Sequence, residues 1–305
     1  MAAILGFGAY LPSRVVTNAE LAGRLNCEPA WILDVSGIEE RRYASPEETV
    51  ITMGVAAARA AMEDREIGMI LVSSGSAERR FPGPAAGIAH SLGLDGVPAI
   101  DLPMASAGSL FGMALAASLS AIYGNILVIA SEKMSTIVSC QPMERGIAPL
   151  FGDGAGACLI GSEDGPVKII DSVLHSDGAF AEDLRLEFGA PLEMNGRSVI
   201  LQASRKIPAA IRELLERNTR SAASVKVFLM HQANQNLMDR VARGLDVDAA
   251  RFYSNIRRYG NTSSASMLIA AAEWWQDPGP NKDDLICFAA FGAGFHWGAL
   301  LAGSV

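Results

Sequence analysis

Two segments of this chain repeat one another's design. Ile126-Leu-Val-Ile-Ala is followed by Phe151-Gly-Asp-Gly-Ala-Gly-Ala-Cys-Leu-Ile, and Leu285-Ile-Cys-Phe-Ala by Phe291-Gly-Ala-Gly-Phe-His-Trp-Gly-Ala-Leu. Each reads as strand, glycine-rich turn, strand. A glycine pair alone marks only a tight turn, but the same pair in matching positions near the ends of two stretches points to a duplicated unit. The seam falls near Gly161 to Val167, so the expected division is residues 1–163 and 164–305.

Between these landmarks, short runs of Val, Ile and Leu alternate with Ala-rich stretches of helical length, the pattern of an α/β chain with buried strands. Strands are expected at Ile67 to Ser73, Ala99 to Leu102, Ile126 to Ala130, Val167 to Val173, Val225 to Met230 and Leu285 to Ala289. Helices are expected at Thr52 to Glu63, Ser109 to Tyr123, Ala203 to Glu216, Gln235 to Gly244 and Ser266 to Trp275. With half of 305 residues hydrophobic, both halves have the material for a core. The apolar runs are too short to span a bilayer, and the first ten residues lack a basic stretch and a cleavage site, so a cytoplasmic protein is the expectation. A net charge of -8 argues against a general nucleic-acid binder.

Three polar motifs sit where α/β enzymes collect their chemistry. Asp101-Leu-Pro-Met-Ala-Ser-Ala-Gly-Ser places Ser106 between a short strand and an Ala-rich helix. A hydroxyl there faces the positive end of the helix, with backbone N–H groups nearby to hold an oxyanion. Ser106 or Ser109 can equally be a plain helix cap, and on this segment alone that reading is favoured. His231-Gln-Ala-Asn follows a strand and precedes a helix, which suits a catalytic imidazole and a locally satisfied one equally well. Tyr259-Gly-Asn-Thr-Ser presents Asn261 in a turn before the last Ala-rich helix, where its amide can donate to a carbonyl or merely close the turn.

Other chemistries are set aside. Gly152-Asp-Gly-Ala-Gly runs into a strand and not a helix, so it is no dinucleotide cradle. His90, His175, His231 and His296 are dispersed, so no metal site is expected. Cys27, Cys140, Cys158 and Cys287 lack paired spacing and read as reduced and structural.

Taken in order, Ser106, His231-Gln-Ala-Asn, Tyr259-Gly-Asn-Thr-Ser and Phe291-Gly-Ala-Gly-Phe-x-Trp-Gly resemble the 3-oxoacyl-acyl-carrier-protein synthase III family. Gly6-Phe-Gly-Ala-Tyr-Leu-Pro, Trp31-Ile-x4-Gly-Ile-x-Glu-Arg, Phe151-Gly-Asp-Gly-Ala-Gly-Ala and Leu174-His-Ser-Asp-Gly extend the resemblance over nearly the whole chain. It implies a thiolase fold, five-layered α/β/α/β/α from two related halves, usually as a homodimer in which Phe81 closes the partner's acyl pocket. It implies an acyltransferase with no cofactor, in which acyl-coenzyme A is a substrate. Ser106 takes an acyl group from coenzyme A or acyl carrier protein, and His231 and Asn261 hold the carbonyl of a malonyl thioester as carbon dioxide leaves. The N–H groups of Ser106 and Ala293 would form the oxyanion hole. Trp31 and Arg145, in Pro142-Met-Glu-Arg-Gly, match coenzyme A contacts, while Arg240 and Arg243 are candidates to meet an acidic carrier protein, against a plain reading as a solvated helix face.

Two departures bear on this. The family's nucleophile is a cysteine; a serine hydroxyl needs an adjacent base, where a thiol with a pKa near ~8.5 at a helix start supplies a thiolate directly. His231 would have to be that base. Val35 stands where relatives often carry an arginine against the nucleotide. The preferred expectation is a condensing enzyme of fatty acid or polyketide priming. The alternatives are acyl transfer to an oxygen or nitrogen acceptor, malonyl decarboxylation alone, or a non-catalytic partner of a ketosynthase.

Overall fold

A computed structural model describes residues 2–140, 143–162, 164–187 and 189–305; Pro142 of the Arg145 motif and Glu163 at the expected seam lie outside them. The main strands are β1 (Ala3–Tyr10), β2 (Met69–Ser73), β3 (Ala99–Leu102), β4 (Ile126–Lys133), β5 (Asp153–Gly161), β6 (Val167–Ser176), β7 (Val225–Met230), β8 (Leu285–Gly292) and β9 (His296–Ser304). The helices that matter below are α1 (Pro29–Ser36), α2 (Val50–Met62), α3 (Pro84–Ser91), α4 (Gly108–Tyr123), α5 (Gly196–Arg217), α6 (Gln235–Leu245) and α7 (Ser266–Gln276). The expected strands and helices are all present, with most ends within a few residues and α5 beginning at Gly196, well before the expected Ala203.

Strand order carries the repeat further than the sequence does. The first five strands run β3-β2-β4-β5-β1 and the last four run β7-β8-β9-β6. β3–β2 and β2–β4 are parallel, then β4–β5 and β5–β1 antiparallel. In the second set β7–β8 is parallel, and β8–β9 and β9–β6 are antiparallel. The counterpart of β3 shrinks to one parallel bridge between Phe252 and Phe228 of β7. The sets also touch at their inner edges, where Ala3 and Ile4 pair with Lys168 and Val167 to give one nine-stranded sheet.

Helix composition decides helix position. α4 is apolar on nearly every side because α4 and α7 form the middle layer between the two strand sets. Leu110, Met113, Ala116, Leu268 and Trp274 meet Leu71 and Val128 of one set and Phe288 and Leu300 of the other. Each fully buried side chain of Leu or Met size stabilises the fold by roughly 1.5–3 kcal/mol. α6 is one-sided: Leu237, Met238, Val241 and Leu245 face inward, and Arg240 and Arg243 face water. It forms an outer layer with α5, as α2 and α3 do on the other side, giving five layers.

Two sequence readings are corrected. Gly154 and Gly156 do not form a turn; they lie inside β5. A Cβ on Gly156 would sit 2.5 Å from Leu268 Cβ, so this glycine lets α7 lie down on the strand. Gly292 ends β8 and Gly294 lies in the turn to β9, and there the reading holds. Ser106 and Ser109 also do not cap α4, whose N-cap is Ala107 without a side-chain hydrogen bond.

Candidate active site

Ser106 stands in a left-handed backbone conformation, φ +62°, between β3 and α4. Such a conformation costs a non-glycine residue roughly 1–2 kcal/mol and is typical of sharp turns that expose a reactive side chain. The turn leaves no spare room: a Cβ on Gly292 would collide with the carbonyl oxygen of Ala105. The end of β8 thus braces the elbow from the opposite half.

His231 follows β7 and is 3% exposed. Its Nδ1 lies 2.6 Å from Ser266 Oγ, which also accepts the Gln232 N–H at 3.0 Å. Burial pulls the imidazole down to about 4, against a hydrogen bond with the Ser263 main chain, so it is neutral at physiological pH. Gln232 is fully buried, and its amide donates to the carbonyls of Met230 and Tyr253.

Asn261 lies in the turn before α7. Its Oδ1 accepts the Ser263 N–H at 2.8 Å, which assigns the other end of the amide as the free donor. Ser263 is itself left-handed, φ +47°, and its Oγ accepts the Ser106 N–H at 3.2 Å. Among the described residues Ser106 Oγ makes no hydrogen bond, to His231 or to any other group.

Ser106, His231 and Asn261 line one cavity of about 90 Å³, with apolar walls from Leu150, Met194, Ile200 and Phe291. The three motifs, spread over 155 residues of sequence, therefore converge from both halves. Ala293 lies in the β8–β9 turn, next to Gly292, which forms part of the cavity wall where Ala293 itself does not.

The other candidates lie outside the lining of this cavity. Trp31, on α1, carries the Arg145 guanidinium 4.5 Å over its ring. The carbonyl of Val35 accepts from the Asn234 and Asn236 amides, tying α1 to the segment after His231. Phe81 is 85% exposed and lines an open groove of about 1570 Å³ that shares Met194 and Gly196 with this cavity. Arg240 and Arg243 are exposed on α6. Among the described residues no cluster of three or more His, Cys, Asp or Glu could hold a metal ion, and no helix is long and apolar enough to cross a membrane.

Sequence reasoning passed over Ser263, Ser266 and Glu132. Ser263 closes the Tyr259-Gly-Asn-Thr-Ser motif and Ser266 follows it in Asn261-Thr-Ser-Ser-Ala-Ser, where a density of serines before an apolar helix was the available signal. Glu132 gave none, because one acid at the end of a strand looks like any other.

Residues 100–178 match the model of 3-oxoacyl-[acyl-carrier-protein] synthase III, and residues 215–303 that of its C-terminal domain. The chain is 34% identical to the β-ketoacyl-[acyl-carrier-protein] synthase III of Shigella dysenteriae and 35% identical to that of Citrobacter koseri, over 98% of each chain in both cases. Among solved structures, 3-oxoacyl-[acyl-carrier-protein] synthase III from Aquifex aeolicus superposes with a TM-score of 0.95 at 32% identity, over 99% of this chain and 100% of that one. The priming β-ketosynthase of the R1128 polyketide pathway gives 0.92 at 30%, over 100% and 96%. With its thiolase-type layering, its paired halves and this full-length similarity, the chain belongs to the 3-oxoacyl-[acyl-carrier-protein] synthase III family of acyl-transferring condensing enzymes.

Proposed function

We propose that the protein primes fatty acid or polyketide chains, with Ser106 as the acyl carrier and His231 and Asn261 as the groups that promote condensation. The observation that carries this is the convergence of the three side chains on one small, apolar-walled cavity.

Ser106 Oγ attacks the thioester carbonyl of an acyl-coenzyme A or acyl carrier protein. A C–O bond forms and the C–S bond breaks, while the serine proton passes to His231 Nε2 and on to the leaving thiolate. The Ser106 and Ala293 N–H groups receive the developing oxyanion, the Ser106 N–H turning from Ser263 Oγ or sharing itself with it. A malonyl thioester then loses carbon dioxide. Its enolate oxygen is held by His231 Nε2–H and the Asn261 amide, and its carbon attacks the Ser106 ester. The serine alkoxide is released and takes a proton from solvent.

His231 must accept at Nε2 in the first step and donate there in the second. Its partner on Nδ1 suits both, because the Ser266 hydroxyl can accept from Nδ1–H or donate to bare Nδ1. The absence of a ready Ser106–His231 bond is compatible with a site that tightens when substrate binds.

The same reading puts coenzyme A on Trp31. A ring cannot enter between Trp31 and a guanidinium 4.5 Å away, so Arg145 swings outward to admit the adenine. Arg240 and Arg243 face an acidic carrier protein. The protein works as a cytoplasmic homodimer: β3 is one of the two edge strands of the sheet, Ile100 on it is 44% exposed, and Phe81 projects from the adjoining loop, a combination that a partner would cover. The halves meet at the 163/164 seam. No cofactor is needed.

Intact-protein mass spectrometry after incubation with a panel of acyl thioesters tests the reading. An acyl adduct that vanishes in Ser106→Ala supports it. Absence of an adduct from every donor, coenzyme A or carrier-bound, overturns it.

A further inference from the structure

Glu132, the seventh residue of β4, is completely buried, and among the described residues the partners of its carboxylate are N–H and O–H groups, none a charged side chain. One carboxylate oxygen accepts from Ser264 Oγ at 2.6 Å, Ser264 N–H at 3.3 Å and Gly75 N–H at 3.1 Å. The other accepts from Ser76 Oγ at 2.6 Å, Gly75 N–H at 3.0 Å and Ser74 Oγ at 3.4 Å. The neighbouring ammonium of Lys133 is directed elsewhere, to the carbonyls of Ser45 and Glu48. So many donors on one buried acid form a rigid junction between the turn that bears Asn261 and the loop that leads to Phe81.

Ser264 follows Ser263, and the left-handed turn at Ser263 directs its N–H to Asn261 Oδ1 and its Oγ to the Ser106 N–H. On the other side, Ser74 to Ser76 begin the loop that continues to Phe81 along the wall of the open groove. We infer that Glu132 is a positioning residue for the priming reaction: it sets the turn that aims the Asn261 amide and holds the Ser106 backbone, and indexes that turn against the loop bearing Phe81. This rests on the functional reading above for its kinetic consequence, but not for its structural one.

The test uses Glu132→Gln and Ser264→Ala in the full-length chain. Gln can keep its oxygen toward Ser264 N–H, but presents an NH2 to Ser76 and Gly75, where the Gly75 N–H cannot turn round to accept. For malonyl-thioester decarboxylation and for condensation, kcat is expected to fall about tenfold or more in both variants, with KM shifted by less than about threefold. Amide exchange in the peptides covering residues 103–110 and 260–266 is expected to quicken about tenfold relative to the β4 peptide. A variant that melts earlier yet turns over at the wild-type kcat when folded, or one in which KM absorbs the whole effect, overturns the inference. So does unchanged exchange across 103–110 in both variants. Should the wild type itself show neither adduct nor turnover, the functional reading fails, and the exchange measurement alone still decides for or against Glu132. Should Glu132→Gln not fold, Ser264→Ala carries the same readouts.

Discussion

The turn bearing Ser106 and the turn bearing Asn261 occupy corresponding places in the two strand sets. Each follows the outermost strand position, β3 in one case and the Phe252 bridge in the other, and each leads into a middle-layer helix, α4 or α7. Each contains a left-handed serine just before its helix, and those two serines are hydrogen-bonded to one another. Their side chains have opposite fates. Ser106 Oγ is left without a partner among the described residues, in a cavity; Ser263 Oγ is used to hold its counterpart's main chain. One copy of the turn leaves its hydroxyl in the cavity and the other uses its hydroxyl as a support, which is how a duplicated fold can build one asymmetric site from two related turns.

The largest effect that would break this comparison lies at Ser106. Ser106→Ala should remove the acyl adduct and lower condensation at least about a thousandfold, while the cavity and the backbone N–H at position 106 remain. Ser106→Cys should raise the acylation rate, because a thiol at a helix start ionises far more readily than a hydroxyl. Single-turnover acylation, read by mass, checks both. If the cysteine variant acylates no faster, the elbow is not limited by its nucleophile.

Next comes the supporting turn. Asn261→Ala removes the donor that the Ser263 N–H leaves facing the cavity and should lower malonyl decarboxylation about 10²- to 10³-fold. The acylation of Ser106 should change far less. Equal loss in both half-reactions would mean that the two turns do not divide the work.

His231 links the turn to pH through Ser266. Its pKa is about 4 when folded against an ordinary value of 6.5, so the folded chain resists protonation and the unfolded chain does not. The neutral imidazole's contribution to stability is whole above about pH 6.5 and is lost as pH falls toward 4, by about 3 kcal/mol in all. His231→Gln should flatten that part of the stability profile in denaturant titrations between pH 7 and 4. Identical slopes in the two proteins would show that the imidazole is protonated in place. Activity should show no loss attributable to His231 between pH 8 and 5.5.

Much of this was legible in the residues alone. Strands and helices showed in the apolar runs, and the three candidate positions that the fold brings to one cavity stood in short motifs just before helices. What the sequence concealed was direction. Phe151-Gly-Asp-Gly and Phe291-Gly-Ala-Gly look alike as strings, yet Gly154 lies inside a strand beneath Ile269 of α7 while Gly292 braces an elbow, since the use of a missing Cβ depends on what lies opposite. Ser106 and Ser109 looked like caps because serine favours that position, and tertiary contacts overrode the propensity. Glu132 was invisible because all its partners come from residues 56 or more positions away.

The finest test sets the two left-handed serines against each other with one substitution. Glycine relieves the left-handed cost at either site, about 1 kcal/mol, and adds unfolded-state entropy that takes back about 0.4–1 kcal/mol. For Ser106→Gly those terms nearly cancel, and the lost hydroxyl had no hydrogen bond among the described residues. The melting temperature should stay close to the wild type's. For Ser263→Gly the Ser106 N–H, buried behind it, loses its acceptor, which costs about 1–3 kcal/mol, so this variant should melt several degrees lower. A double variant should recover nothing, because the N–H of residue 106 survives any change of its side chain. Equal melting temperatures for the two single variants would show that the Ser106–Ser263 bond carries no net stability, and the division between reactive and supporting turn would then rest on the chemistry of Ser106 and Asn261 alone.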